Sequence, residues 1–301
     1  MKSFKQLAII GSTASGKTSL SIELAKHTDA YILSLDSLSI YKEIDIVSAK
    51  PTEKEREGIK HFGINLLYPN ENFDVKTFID LYQKVYKQCL KDNKNLIIVG
   101  GTSFYLKMLI DGISQVPKIS KKSMIKTQEK LKNTKHAHMI LSRLDSIYMS
   151  NISPNDSYRI EKALNIYFET GFTPTQYFGK FPPIPIISEK LPIYQIEWDR
   201  ELLRKRISLR TEIMLSSGLI DEVCTLEQKY GRKPNCMKSI GIKETLAYLD
   251  GGYNKTMLIE KIMTNTARLA KRQETFNNSQ FKSVIKGSVE ELRKILLQKS
   301  R

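Results

Sequence analysis

Residues Gly11 to Thr18 read GSTASGKT, which is G-x-x-x-x-G-K-[ST]. In that pattern the glycines let successive backbone N–H groups turn inward around a phosphate, while the helix that follows adds partial positive charge. The diphosphate-binding set is therefore Gly11, Ser12, Thr13, Ala14, Ser15, Gly16, Lys17 and Thr18. Lys17 is placed to reach a terminal phosphate, and the Thr18 hydroxyl to face a Mg²⁺ that bridges phosphate oxygens. Motor ATPases and GTPases usually hold that metal with an acid at the end of a hydrophobic strand. Here the run Leu96–Val99 ends instead in Gly100-Gly101-Thr102. The remaining carboxylate in a comparable place is Asp36, directly after the run Tyr31–Leu35. Asp36 could ligate metal, accept a hydrogen bond from substrate or act as a general base. An aspartate there also suits the N-cap of the turn that follows. Arg206 and Arg210 fall four apart on one helical face, and arginine's planar fork suits phosphate. With Arg204 they equally describe a solvated basic face.

These groups need a scaffold that brings them together. Gln6–Ile10, Tyr31–Leu35 and Leu96–Val99 are short apolar runs, and Thr18–Lys26 and Asp74–Leu90 carry helical spacing between them. Strands alternating with helices imply a parallel sheet with right-handed crossovers. Ligands in such sheets sit beyond the carboxyl ends of the strands, so Gly11, Asp36 and Thr102 should share one crevice. After Val116-Pro117 the chain becomes basic and helical, with Lys118–Lys135 and Ala163–Glu169 as helical pieces. Thr173–Pro192 is rich in Pro and aromatics and is expected to be irregular. Ile193–Trp198 alternates like a strand returning to the sheet, and helical spacing follows in Glu201–Ser217, Leu219–Lys229, Ile242–Leu249 and Leu258–Phe276. Gly218 suits the end of the first of these helices. The fold class is thus α/β: a P-loop NTPase-like parallel sheet flanked by helices, with a mostly helical inserted domain. The boundaries read as 1–117 and 191–301 for the core and 118–190 for the insertion.

Composition narrows the partners. The 301 residues carry a formal charge of +16, spread unevenly: +2 in residues 1–117, +5 in 118–200 and +9 in 201–301. A polyanion larger than a metabolite is the natural inference, nucleic acid first and a membrane surface second, although lysine-rich usage alone would supply part of the excess. Three cysteines, odd in number and widely spaced, argue against a disulfide framework, and no Cys/His cluster suggests zinc. His27, His61, His136 and His138 are scattered and take no catalytic role. There is no run of the roughly 20 apolar residues that a membrane helix needs. The N-terminal residues MKSFKQLAII have no small-residue cleavage site. A cytoplasmic monomer without membrane association is expected.

Taken together these segments resemble the tRNA dimethylallyltransferases, in their bacterial form. The resemblance rests on GSTASGKT at 11–18, LDSLSIYKEIDIVSAKP at 35–51, VGGTSFYLKMLIDG at 99–112, SPNDSYRIEKALNIYFETG at 153–171, RTEIMLSSGLIDEV at 210–223, SIGIKE at 239–244 and AKRQ at 270–273. It implies transfer of a dimethylallyl group from dimethylallyl diphosphate to N6 of the adenosine 3′-adjacent to the anticodon in tRNA. It also implies Asp36 as general base, Thr102 in contact with the target nucleotide, Lys17 and Arg210 as diphosphate clamps, and Thr18 as the Mg²⁺-side hydroxyl. The tRNA-touching segments would be Asp36, Ser37, Leu38 and Ser39; Thr102; Tyr158, Arg159, Ile160, Glu161 and Lys162; and Lys238, Ser239, Ile240, Gly241, Ile242 and Lys243. Departures from the family pattern are Ser12 for the usual Pro, Lys162 and Lys243 at Arg-type positions, Phe276 for Trp and Asn278 for Arg. A small-molecule P-loop kinase, an adenylate isopentenyltransferase acting on free nucleotide, and a non-catalytic RNA-binding P-loop protein are the alternatives.

Overall fold

The computed structural model describes residues 4–298. They divide into two compact units, one formed by the chain up to Lys107 and from Glu189 onward, the other by Met108–Ser188. Among the described residues the first unit contains six parallel strands: β1 (Gln6–Gly11), β2 (Ala30–Ser34), β3 (His61–Phe62), β4 (Asn95–Gly100), β5 (Ile193–Ile196) and β6 (Val284–Gly287). Their order is β3-β2-β4-β1-β5-β6. Ala8, Ile9 and Ile10 of the central strand β1 are fully buried, as are Ile32, Leu33 and Ile98. Strands covered on both faces read as continuous apolar runs rather than alternating ones, which is why these three stand out in the sequence.

The helices that follow the strands are α1 (Lys17–Thr28), the single turn α2 (Glu53–Arg56), α3 (Val75–Asp92) and α4 (Ser103–Asp111). Leu20, Leu24 and Ala25 of α1 bury one stripe against Ile9, Ile32 and Ile97. Each such Leu or Ile contributes on the order of 1.5–3 kcal/mol when withdrawn from water. Asp74 caps α3 by accepting from the Thr77 amide (2.8 Å), and Asn93 closes it in a left-handed turn (φ 52°).

The second unit is helical: α5 (Lys121–Leu131), α6 (Thr134–Leu144), α7 (Ser146–Met149), α8 (Ser157–Thr170) and α9 (Pro174–Lys180). Its core gathers Ala137, Leu141, Met149, Ile152, Ile160, Ala163 and Leu164. Three sequence expectations are corrected here. The basic stretch 118–135 is broken where Asn133 caps a new helix, accepting from the His136 amide at 3.0 Å. The stretch expected to be irregular from Thr173 opens with α9, where Thr173 and Gln176 cap reciprocally and Pro174 occupies the first helical position. The first boundary between the units falls at Lys107, inside α4, rather than at Pro117.

After β5 come α10 (Arg200–Ser216), α11 (Leu219–Tyr230), α12 (Ile242–Leu249), α13 (Lys255–Gln280) and α14 (Val289–Gln298). Strand β6 and helix α14 are absent from the sequence reading. Strand β6 is a half-exposed edge of four residues without an apolar run, while α14 buries Leu292 and Leu296 against the α1 side of the sheet.

Parallel register levels the carboxyl ends: Ile10 pairs with Gly100, Ser34 with Val99 and Gly11 with Ile196. The segments after β1, β2 and β4 therefore leave the sheet side by side. A methyl group on Gly100 would lie 2.6 Å from Leu35 Cβ and 3.0 Å from its backbone carbon. Gly100→Ala is accordingly expected to cost about 1–3 kcal/mol by forcing β2 and β4 apart. The check is the melting temperature of the whole chain, which should fall by several degrees; an unchanged Tm contradicts this close approach.

Candidate active site

The loop after β1 turns on two glycines, Gly11 (φ 156°) and Gly16 (φ 87°), and the left-handed Gly16 leads directly into α1. Lys17 curls back, its Nζ donating to the Ser12 carbonyl and to Ser15 Oγ (3.2 Å). Three side chains from distant segments grip the loop. Trp198 Nε1 donates to the Ser15 carbonyl at 2.9 Å. Arg206 Nε donates to the Ala14 carbonyl at 2.7 Å while its guanidinium stacks 4.6 Å from the Trp198 ring centre. Gln273 Oε1 accepts from the Thr13 amide at 2.8 Å. In a trans peptide unit the carbonyl and N–H point opposite ways. Holding the Ala14 and Ser15 carbonyls toward these side chains thus turns the next two amides away from them.

Thr13 to Thr18 line a cavity of about 370 Å³, together with Asp36, Arg206, Arg210 and Gln273. Its electrostatics are one-sided. Burial pulls the Lys17 ammonium down to about 7, with the Arg210 guanidinium pushing the same way and Asp36 opposing both. Arg210 is also lowered by burial, with Asp36 again the restoring charge. One carboxylate thus faces two cations, in a space that an anion would neutralise.

Asp36 Oδ1 accepts from the amides of Leu38 (2.8 Å) and Ser39 (3.0 Å). The capping role weighed for this residue is therefore real, but it occupies one oxygen; Oδ2 accepts no hydrogen bond among the described residues. A second cavity of about 500 Å³ lies beyond it, and Thr13, Asp36, Ser48 and Arg210 border both. Phe73 and Tyr105 form an aromatic wall there (ring centres 5.1 Å apart), with Tyr105 stacked on Phe78. Burial pushes the Tyr105 hydroxyl up to about 12, so it stays neutral. Ser239 lines this cavity, and its Oγ is buried without a partner among the described residues. A flat apolar wall, unpaired polar atoms and the cations of Lys238, Lys243 and Arg272 suit a planar base carried on a phosphate backbone.

The loop that carries Asp36 is fixed by two internal charges. Glu222 accepts from the amides of Asp45, Ile46 and Val47 at 2.7–3.0 Å. Lys50, 8% exposed, donates to the Tyr41 carbonyl, Asp45 and Asn65.

Not every residue singled out from sequence reaches these cavities. Gly11 and Ser12 form the turn behind the lining residues. Thr102 lines neither cavity; its carbonyl accepts from the Tyr105 amide (3.1 Å) as α4 begins. Ser37 and Leu38 face the second cavity and Ser39 the first. Lys238, Ser239, Ile240, Gly241 and Lys243 line the second, but Ile242 is fully buried in the core packed beneath it. Tyr158, Arg159 and Lys162 are exposed on α8 of the second unit and Glu161 is half-buried, whereas Ile160 is fully buried. Taking whole segments as contacts is thus corrected at Ile160 and Ile242, whose side chains anchor their helices. Arg204 is solvent-exposed, so Arg204, Arg206 and Arg210 of α10 divide between solvent, loop and cavity. Asn278, exposed near the end of α13, accepts from Lys286 (2.6 Å) and Gln195 (3.2 Å), contacts for which the short side chain suffices. The cysteines are free, and burial pushes the Cys89 thiol up to about 11. Trp198, the aromatic pair Phe73 and Tyr105, Glu222 and Lys50 are contributions that sequence reasoning missed. Only the single tryptophan of the chain offered a signal, because the others depend on long-range packing.

Comparison with known proteins gives the lineage of this arrangement. The sequence profile described as IPP transferase matches residues 39–280. This chain belongs to the IPP transferase family. It is 68% identical to a tRNA dimethylallyltransferase of Sulfurovum, over 98% of both chains, and 56% identical to one of Sulfurimonas denitrificans, over 97% of this chain and 98% of the relative. Among solved structures, a tRNA isopentenylpyrophosphate transferase from Staphylococcus epidermidis superposes with a TM-score of 0.69 at 30% identity, covering 99% and 98% of the two chains. A eukaryotic dimethylallyltransferase described as acting on tRNA gives a TM-score of 0.83 at 25% identity, covering 96% of this chain and 75% of that one.

In this IPP transferase the depressed Lys17 has a measurable consequence. Between pH 7 and 10.5 the unfolded chain holds the lysine proton and the folded chain has released it, so this group makes stability rise with pH across that window. The penalty is full below pH 7. Lys17→Met removes it, so the Tm of the variant relative to wild type, without ligand, is expected to be highest near pH 7 and to decline toward pH 10. A difference independent of pH contradicts the assignment.

Proposed function

We propose that this protein transfers a dimethylallyl group from dimethylallyl diphosphate to N6 of the adenosine 3′-adjacent to the anticodon in tRNA, giving N6-isopentenyladenosine. The observation that carries the reading is the position of Asp36 on the border between an anion-binding cavity and an aromatic-walled one. An exocyclic adenine amine is a poor nucleophile, so the allylic carbon must become electrophilic. Its bond to the diphosphate oxygen breaks as the bond to N6 forms, and the allyl cation is stabilised by delocalisation. The electrons of the broken bond leave with diphosphate, whose growing charge is met by loop amides, Lys17 and Arg210. The free Oδ2 of Asp36 orients the amine and takes its proton, an effect worth typically ~10²–10⁴-fold. Because Oδ1 is tied to two amides, the carboxylate is pre-oriented for this role.

Mg²⁺ fits the residues present. The Thr18 hydroxyl lines the anion cavity beside Asp36, and both offer hard oxygen donors. No group of three or more His, Cys, Asp or Glu able to hold a metal occurs among the described residues. That composition suits an ion retained by substrate oxygens and water, as Mg²⁺ prefers. When bound it would neutralise charge on the leaving diphosphate.

The tRNA enters from the second cavity, with the target base out of the anticodon-loop stack. Lys238, Lys243 and Arg272, together with the exposed Tyr158, Arg159 and Lys162 of the second unit, contact RNA. The segment charges of +5 and +9 suit that task. The proposed working form is a monomer. Its substrate is cytoplasmic, and no described helix is long and apolar enough to cross a membrane.

The test is to incubate the protein with dimethylallyl diphosphate, Mg²⁺ and unmodified tRNA and to look for N6-prenylated adenosine by nucleoside mass spectrometry. Prenylated tRNA is expected, and Asp36→Ala should reduce turnover by about 10²-fold or more while tRNA still binds. No product with a competent tRNA removes the reading, and ATP consumption without prenyl transfer points to a kinase. Full turnover in Asp36→Ala removes the assigned base.

A further inference from the structure

Helix α13 touches both cavities: Thr266, Leu269 and Arg272 line the second, and the next residue, Gln273, lines the first. Gln273 Oε1 takes the Thr13 amide of the phosphate loop at 2.8 Å. On its other side stands Gly101, and a Cβ built there would lie 2.5 Å from Gln273 Nε2. Its three nearest atoms would all belong to Gln273. Gly101 does not adopt a left-handed φ. An alanine could take up the backbone conformation, so the lack of a side chain serves space alone, and the space is filled by this one amide.

We propose that Gln273 is a positioning residue for the phosphate loop, and that Gly101 is glycine in order to seat it. Gln273 acts through Thr13. Committing that amide to a side-chain carbonyl fixes the height of the loop over the sheet and leaves the amides from Ala14 onward for the anion. Nε2 occupies the space that a side chain at 101 would need, while Oε1 is held by Thr13. A methyl group at 101 can be accommodated only if Gln273 moves, and moving it releases the loop. The two sites, far apart in sequence, are therefore one device, and their substitutions should be non-additive. The proposal rests on the transferase reading for its kinetic readout but not for its binding readout.

The experiment is a double-mutant cycle on the full chain, with Gln273→Leu, Gly101→Ala and the double variant. Inorganic diphosphate is the binding probe by calorimetry, and the KM values for dimethylallyl diphosphate and tRNA are measured separately. Losing the partner of a half-buried amide corresponds to about a tenfold change. Each single variant is expected to weaken diphosphate binding and raise the donor KM about tenfold, leaving the KM for tRNA within about twofold. The double variant should be no worse than Gln273→Leu alone, since the Thr13 contact that the methyl group would break is then already lost. Gln273→Glu, which keeps the acceptor for Thr13, should bind diphosphate more tightly than Gln273→Leu despite its added negative charge. Unchanged diphosphate affinity in Gln273→Leu overturns the proposal, as do losses that multiply in the double variant. Equal increases in the donor and tRNA KM values, with a lowered Tm, would mark Gln273 as a general packing residue and also overturn it. Absence of prenyl transfer by wild type, with the binding cycle intact, would instead count against the transferase reading alone.

Discussion

Two cations, Lys17 at the end of the loop after β1 and Arg210 on α10, line one cavity with a single carboxylate, Asp36. Burial, and after it the Arg210 charge, pulls the ammonium of Lys17 down to about 7. Such a site is unfavourable while empty and is relieved by an anion, so much of the surrounding structure serves to keep the charges from relaxing apart. Trp198, Arg206 and Gln273 hold the loop, the parallel register levels the strand ends, and Gly100 lets β2 and β4 approach closely enough to bring Asp36 to the same edge. Enzymes commonly sacrifice stability at such places for preorganised charge.

Asp36 then divides the space. One of its oxygens is consumed by the local turn and the other is left free, between a cavity suited to diphosphate and one suited to a stacked base. In the proposed reaction the two substrates meet at the border that Asp36 forms with Thr13, Ser48 and Arg210. The glycines after Val99 acquire a physical reason as well. An acid-tipped strand would serve a nucleotide-hydrolysing site, but here the strand end must admit Leu35 on one side and Gln273 on the other.

Much of this is legible in the sequence because it is local. The apolar runs of β1, β2 and β4, the Gly11–Thr18 turn and Asp36 after β2 follow from patterns of a few residues. Helix α9 was legible in principle, since Thr173, Pro174 and Gln176 form a capping signature, but the surrounding prolines and aromatics outweigh it. Strand β6 carries no such pattern: its four residues become a strand only because β5 offers an edge. Helix α14 is amphipathic, but its identity as a core element depends on meeting α1. The grip on the phosphate loop was illegible for the same reason. Trp198, Arg206 and Gln273 lie roughly 180 to 260 positions away from the atoms they hold, and nothing in local spacing announces such partners. Within the segments that were legible, side-chain direction was not, which is why Ile160 and Ile242 turn inward from stretches read as surface.

The account stands on the anion cavity holding a leaving diphosphate rather than a nucleotide triphosphate. The most direct measurement is the stoichiometry of the leaving group during turnover, with labelled dimethylallyl diphosphate and unmodified tRNA. One intact diphosphate should be released for each prenyl group gained by the RNA, with no orthophosphate formed. Release of orthophosphate, or of diphosphate without matching alkylation of tRNA, would contradict it.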